Sequence, residues 1–215
     1  MSMEMAGPSS GKSSSASKEA LRDLMPGRWT ALTDRSLETY KDFLALEDKE
    51  LMDTKVLDVG SGLREKFSRQ AKKKFNTEVF SVNPKLKSWI TRKRLQTLNP
   101  GWQERSVAAA AEELPFIDSY FDAATSLFAV SFYKTINQEQ AVKEIIRTLK
   151  PGAKLHMAPR GLKGAFSHIL DTYVTAEDVL GADTIEWLKA NGHTISKNKT
   201  GPIIITKKVE ESKKG

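Results

Sequence analysis

The residues with the clearest chemical potential lie between Lys55 and Leu63, read KVLDVGSGL. Gly60 and Gly62, one residue apart, let the backbone turn sharply and let a ligand approach without meeting a Cβ. Ahead of them, Val56, Leu57 and Val59 surround the single polar Asp58, an apolar run that fits a strand buried on both faces of a parallel sheet. Behind them, residues 64–75 have the length and composition of a helix. Strand, glycine turn and helix together open a nucleotide-type site, with the ligand at the carboxyl end of the strand.

A second chemical feature is charge. Between Arg64 and Arg94 stand eleven Lys/Arg against Glu65 and Glu78, a local excess greater than the net +7 of the whole chain. Such a face attracts nucleic acid or another polyanion. It equally describes two solvated helices covering a sheet, since Lys and Arg are good helix formers. The absence of Cys excludes disulfides, thiolate ligands and Cys nucleophiles. No cluster has metal-ligand spacing, so no metal is expected.

The elements that must position these residues follow from periodicity and punctuation. The chain's 215 residues, 39% hydrophobic, suffice for one domain with a sizeable core, expected over 18–210. Residues 1–17, rich in Ser and small residues, read as a disordered leader, and 211–215 as a disordered tail. A short helix, Lys18 to Leu24, stops before Pro26-Gly27. Thr33 then caps a helix to about Leu46, whose Leu37, Tyr40, Phe43 and Leu44 form one apolar stripe. That stripe packs against the sheet, or the helix closes over a ligand. After the organising strand come a strand at Glu78–Val82, a helix from Lys85 to about Leu98 entered through Asn83-Pro84, and a strand over 105–109. The loop 110–120 carries EELPFIDSY. A strand at 121–127, a helix at 137–149 and a strand at 154–157 follow. A loop to Val174 and a helix at 176–190 lead to short strands at 193–197 and 203–207, whose brief link permits only an antiparallel hairpin. No apolar run approaches the 18 residues of a membrane span and no targeting segment is evident, so a cytoplasmic location without a membrane partner is expected.

Four segments, in order and at the right spacing, resemble the class I S-adenosylmethionine-dependent methyltransferases of the small type 11-like kind. They are VLDVGSG at 56–62, EELPFIDSYFD at 112–122, LKPG at 149–152 and the terminal hairpin, together covering Lys55 to Lys207. The resemblance implies an α/β, Rossmann-like fold: a seven-stranded, mostly parallel sheet with a C-terminal antiparallel hairpin and helices on both faces. It implies S-adenosylmethionine as cofactor, seated over the ends of the first, second and fourth strands, and methyl transfer to an O or N acceptor, expected to be a small molecule.

Carried onto this sequence, the resemblance assigns Asp58, Gly60, Ser61 and Gly62 to the loop holding the methionyl end. Backbone N–H groups and the helix start receive its carboxylate, and Asp58 accepts from its ammonium. Asn83 falls where an acidic residue grips the ribose, Glu112 or Glu113 near the adenine, and Ser126, Leu127 and Phe128 beside the reactive sulfur. Three departures stand out: Arg64 replaces the third glycine, Asn83 replaces the ribose acid, and Ala110 replaces a further acid. Asn83 and Ala110 each remove a charge from the cofactor's expected surroundings, whereas Arg64 adds one, either paired with the cofactor carboxylate or exposed in the first turn of the helix.

Methyl transfer leaves only a faint signature, because the cofactor brings the activated carbon and the protein mainly aligns a nucleophile. There is no Pro-Cys pair and no Asn/Asp-Pro-Pro-aromatic motif; LFAVSFY occupies 127–133. On the acceptor side the candidates are Phe132, Tyr133, Arg160 and Tyr173, with His168 as general base in the loop expected to cover the substrate. His156 alternates inside a strand as a core residue would, and His193 lies away from the cofactor edge. Two other classes compete. A dinucleotide oxidoreductase wants a third glycine and an acid about 20 residues on, which Arg64 and Asn83 do not supply. A catalytically silent module of this fold would use the basic face, 64–94, on RNA or a protein partner. Oligomeric state is not legible.

Overall fold

Four consecutive residues of β1 (Lys55–Val59) are buried, which requires cover on both faces of the sheet. The computed structural model, which describes residues 35–62, 65–98, 101, 104–130, 136–158, 175–197 and 201–209, shows that cover. β1 lies in the middle of the sheet, paired in parallel with β2 (Glu78–Val82) on one side and β4 (Phe121–Ser126) on the other. β3 (Ser106–Val107) extends the sheet beyond β2, and β5 (Leu149–Met157) extends it beyond β4, both in parallel. β7 (Ile203–Thr206) then pairs antiparallel with β5, and β6 (Thr194–Lys197) antiparallel with β7 at the edge. The order is β3-β2-β1-β4-β5-β7-β6. Strand order reverses between β1 and β4, the place where open sheets of this kind bind ligands at the carboxyl ends.

The period-2 alternation of β1 sorts its side chains into two cores. Val56 joins Leu37, Tyr40 and Leu44 of α1 (Leu37–Leu44) and Phe67, Ala71 and Phe75 of α2 (Lys66–Phe75). Leu57 and Val59 face the other way. They join Ala141, Val142 and Ile145 of an amphipathic helix at Gln138–Thr148, and Val179 and Leu188 near the C-terminus.

Several boundaries differ from expectation for local reasons. The helix expected from Thr33 begins after Ser36, whose Oγ accepts from the Thr39 amide, and ends where Ala45 turns left-handed. The helix expected over 85–98 is two pieces. Asn83 caps a 3-10 turn at Pro84–Lys87, Ser88 is extended, and only then does α3 (Trp89–Leu98) start. With α4 denoting Gln138–Thr148, the last helix likewise divides into α5 (Ala176–Leu180) and α6 (Ala182–Ala190), broken at Gly181 with φ +80°. β5 starts at Leu149 rather than Lys154, because a register shift against β4 absorbs Pro151-Gly152. β6 starts after His193, whose amide instead donates to Leu188 at the end of α6. The expected leader, the helix at 18–24 and the tail lie outside the described residues. Among the described residues no helix is long and apolar enough to cross a membrane.

Candidate functional site

Asp58 is 1% exposed, on the α1 face of β1. Its carboxylate accepts from Tyr40 Oη, 3.1 Å from both oxygens, and from Thr125 Oγ1 of β4 at 2.9 Å. Tyr40 is held for this by stacking on Phe67 of α2, centroids 4.2 Å apart and planes within 5°. Burial pushes the Asp58 carboxyl up to about 6, while the Arg35 guanidinium and the Thr125 and Tyr40 hydroxyls oppose the rise. The Tyr40 phenol is raised as well, by burial and by the carboxylate beside it.

Arg35, just ahead of α1, donates from Nη1 to the Gly60 carbonyl, and its Cδ borders Gly62. It thus lies across the glycine turn, beside Asp58. Gly60 and Gly62 both have positive φ, +81° and +72°, as a sharp turn at this point needs. The Gly60 amide is tied to Val82 at the end of β2. The room that Gly60 leaves is taken by the chain itself: a Cβ built there would stand 2.3 Å from Ala129 Cβ. The expected opening for a ligand above Gly60 is therefore a packing contact with the segment after β4. Ser61 is buried, and its Oγ donates to the Gly62 carbonyl.

That segment carries other candidates. Ser126 Oγ accepts from the Val130 amide at 3.1 Å, so it fixes the turn out of β4. Leu127 and Phe128 are buried in the core under α1, Phe128 with φ +57° and edge-on to Phe43. These three residues stand at the carboxyl end of β4, beside the glycine turn. Asn83 closes β2 at the same edge, and its Oδ1 accepts from the Lys85 amide at 3.0 Å. Glu112 Oε1 accepts from the Asn137 amide at the start of α4, and Glu113 is exposed. Arg64, Phe132, Tyr133, Arg160, His168 and Tyr173 lie outside the described residues.

Arg35, Thr125 and the hydroxyl of Tyr40 escape a reading of the sequence. Tyr40 carries a signal, as the one polar-tipped member of an apolar stripe; Arg35 carries none. The other histidines are accounted for structurally. His156, 1% exposed on β5, has Nδ1 2.9 Å from the Leu44 carbonyl and Nε2 3.5 Å from Glu50. Burial would raise the Glu50 carboxyl, but His156, the Glu47 amide and Lys154 together hold it down at about 2. His193 Nδ1 accepts from the Lys208 amide. Within the basic stretch, a cavity of about 230 Å³ between α2 and β3 is lined by Glu65, Ser68, Arg69, Lys72, Arg105 and Ser106.

Residues 57–157 match the family described as a methyltransferase domain. The ubiquinone/menaquinone biosynthesis C-methyltransferase UbiE of Vibrio cholerae is 31% identical over 124 residues, 55% of this chain and 46% of that protein. Its namesake in Bartonella quintana is 35% identical over 121 residues, 54% of this chain and 45% of that one. The chain thus spans about half the length of the curated relatives it matches. Among solved structures, a candidate S-adenosyl-L-methionine-dependent methyltransferase of Methanococcus maripaludis has a TM-score of 0.55 at 15% identity, covering 99% of this chain and 100% of its own. A chain from the complex of the Haloferax volcanii Trm112 methyltransferase activator with a candidate methyltransferase gives 0.53 at 12% identity, covering 92% and 96%. At these identities the structures share the fold with this chain.

Proposed function

We propose that the chain is a class I S-adenosylmethionine-dependent methyltransferase and transfers the cofactor's methyl group to a small-molecule acceptor. The observation that carries this reading is the joint placement of Asp58, Arg35 and the glycine turn at the point where strand order reverses. A carboxylate beside a guanidinium suits the zwitterionic methionyl end of the cofactor, ammonium to Asp58 and carboxylate to Arg35. The donor inventory allows it. Asp58 has about four acceptor sites and receives two hydroxyl donors, Tyr40 and Thr125, and Arg35 has donors beyond the one spent on Gly60.

Bound there, S-adenosylmethionine supplies a methyl carbon activated for in-line displacement. The chain's own residues orient and exclude water. Asn83 would hold the ribose with the donors its capping role leaves, and Glu112 or Glu113 would serve the adenine. Ser126, Leu127 and Phe128 shape the wall next to the sulfur, and Ser61 and Gly62 complete the turn. On the acceptor side we retain Phe132, Tyr133, Arg160 and Tyr173, with His168 taking the acceptor's proton. An O or N acceptor matches the sequence reading, whereas the relatives' name supports a carbon acceptor. A cytoplasmic location goes with this reading.

Calorimetric titration with S-adenosylhomocysteine tests it. Binding is expected, weakened at least about tenfold by Arg35→Ala through loss of a charge-assisted bond. No heat and no rise in melting temperature at saturating ligand would refute it. The cavity between α2 and β3 favours one second reading, a silent module holding RNA through Arg69, Lys72 and Arg105. That reading requires RNA binding that falls steeply with salt and no cofactor binding.

A further inference from the structure

We propose that the start of α3 is a membrane-surface anchor, with Trp89 and Ile90 entering an anionic lipid bilayer amid Lys85, Lys87, Arg92 and Lys93. Trp89 and Ile90 are 64% and 63% exposed and adjacent in sequence. What sets them apart from the singly exposed Met52, Ile117 and Val209 is that they are adjacent, a contiguous apolar pair of the kind that marks an interaction surface. At 100° per residue they share the outer side of α3 with Lys93, opposite the buried Leu95, and Lys93 Nζ stands 6.0 Å over the Trp89 ring. Leu95 and Leu86 bury against each other in a small core separate from the two sheet cores. α3 therefore presents its outer side as a distinct layer.

Charge decides what covers it. From Pro84 to Leu98 the chain has five cations and no acidic residue. A second copy laid face to face would set these cations against one another, which disfavours self-association. The surface therefore matches an anionic partner. Between RNA and lipid, the apolar pair decides. Ile90 has no ring for a base to stack on, so half of the apolar pair would gain nothing from RNA. An aromatic and an aliphatic side chain at the waterline of a basic helix instead match the interfacial pattern, apolar groups in the acyl boundary and cations at the headgroups. The absence of a spanning segment does not bear on this mode, since the helix lies in the surface plane. Only the turn Pro84–Lys87 and Ser88 separate Trp89 from Asn83, so the anchor stands beside the carboxyl edge of the sheet. The inference stands whether or not that edge binds a cofactor.

The test is co-sedimentation of the full chain with phosphatidylserine/phosphatidylcholine vesicles, with pure phosphatidylcholine vesicles and single-stranded RNA as comparisons. Binding to the anionic vesicles is expected to fall with salt and to weaken at least about tenfold in Trp89→Ser/Ile90→Ser. Trp89→Phe/Ile90→Leu should retain it, which separates lost insertion from lost folding. No binding to anionic vesicles at low salt, or undiminished binding by the serine variant, would overturn the proposal. So would RNA binding that depends on Trp89 without vesicle binding, or concentration-dependent self-association abolished by the serine variant.

Discussion

Replacing Gly60 by alanine adds one methyl group at a point where φ is +81° and where that methyl would stand 2.3 Å from Ala129 Cβ. Two costs follow. Holding a non-glycine residue in the left-handed region costs about 1 kcal/mol. Forcing a methyl into occupied space moves the turn after β4 or β1 itself, at about 1–3 kcal/mol. The sum, about 2–4 kcal/mol, lowers the melting temperature by roughly 5–15 °C for a domain of this size. Gly62→Ala provides the internal control. Its φ of +72° incurs the same backbone cost, but the nearest atom is Arg35 Cδ at 3.3 Å, in a side chain able to swing aside. Its loss should stay near 1 kcal/mol while displacing Arg35 from the glycine turn, so S-adenosylhomocysteine affinity falls more than stability does. Urea denaturation followed by circular dichroism reads the difference. Adding Ala129→Gly to Gly60→Ala should recover the crowding part and leave the backbone part, a coupling visible in a double-mutant cycle. Equal stability of the two alanine variants, or no coupling with Ala129, would refute the view that Gly60 exists to let the chain after β4 pass.

Tyr40→Phe should cost about 1.5–3 kcal/mol, because a buried carboxylate loses its phenolic donor, and denaturant titration checks it. The pH dependence of stability should contain two opposed carboxylates. Asp58 titrates at about 6 when folded, above its ordinary 3.8, so the folded state holds the proton longer and stability falls as pH rises from about 4 to 6, by roughly 3 kcal/mol. Glu50 is lowered from 4.5 to about 2, so its contribution is complete above about 4.5 and is lost as pH falls toward 2. Denaturation across pH should therefore show Asp58→Asn flattening the upper window and Glu50→Gln the lower one; the reverse pattern would refute both assignments. Asn83→Asp keeps the cap on Pro84–Lys87 and adds a charged oxygen, so stability should hold while S-adenosylhomocysteine binds about fivefold tighter. An unchanged Kd would mean that Asn83 serves as cap alone.

Features set by short-range physics are legible in the residues alone. β2 is legible to the residue and β1 at its closing end, because an apolar run stopped by glycine, or by Asn-Pro, has one comfortable conformation. The alternation of strands and helices follows from hydrophobic period, and the final hairpin from a link too short for any other connection. The glycine turn is legible too, since its spacing is itself the geometry. Other features depend on long-range contacts that local propensity does not encode. The insertion of β7 between β5 and β6 is a matter of strand pairing across the sheet. The splits at Ser88 and Gly181 reflect where α3 and α6 find their packing. At the site, Tyr40 reads as one more apolar residue of a stripe until its hydroxyl meets Asp58, 18 positions on, together with Thr125, 67 positions beyond Asp58. Arg35 looks like any surface cation until the entry to α1 carries it over Gly60. Gly60 reads as room for a ligand until Ala129 fills that room. A side chain's type states which bonds it can make; only the packing of two cores against one sheet decides which partner arrives to make them.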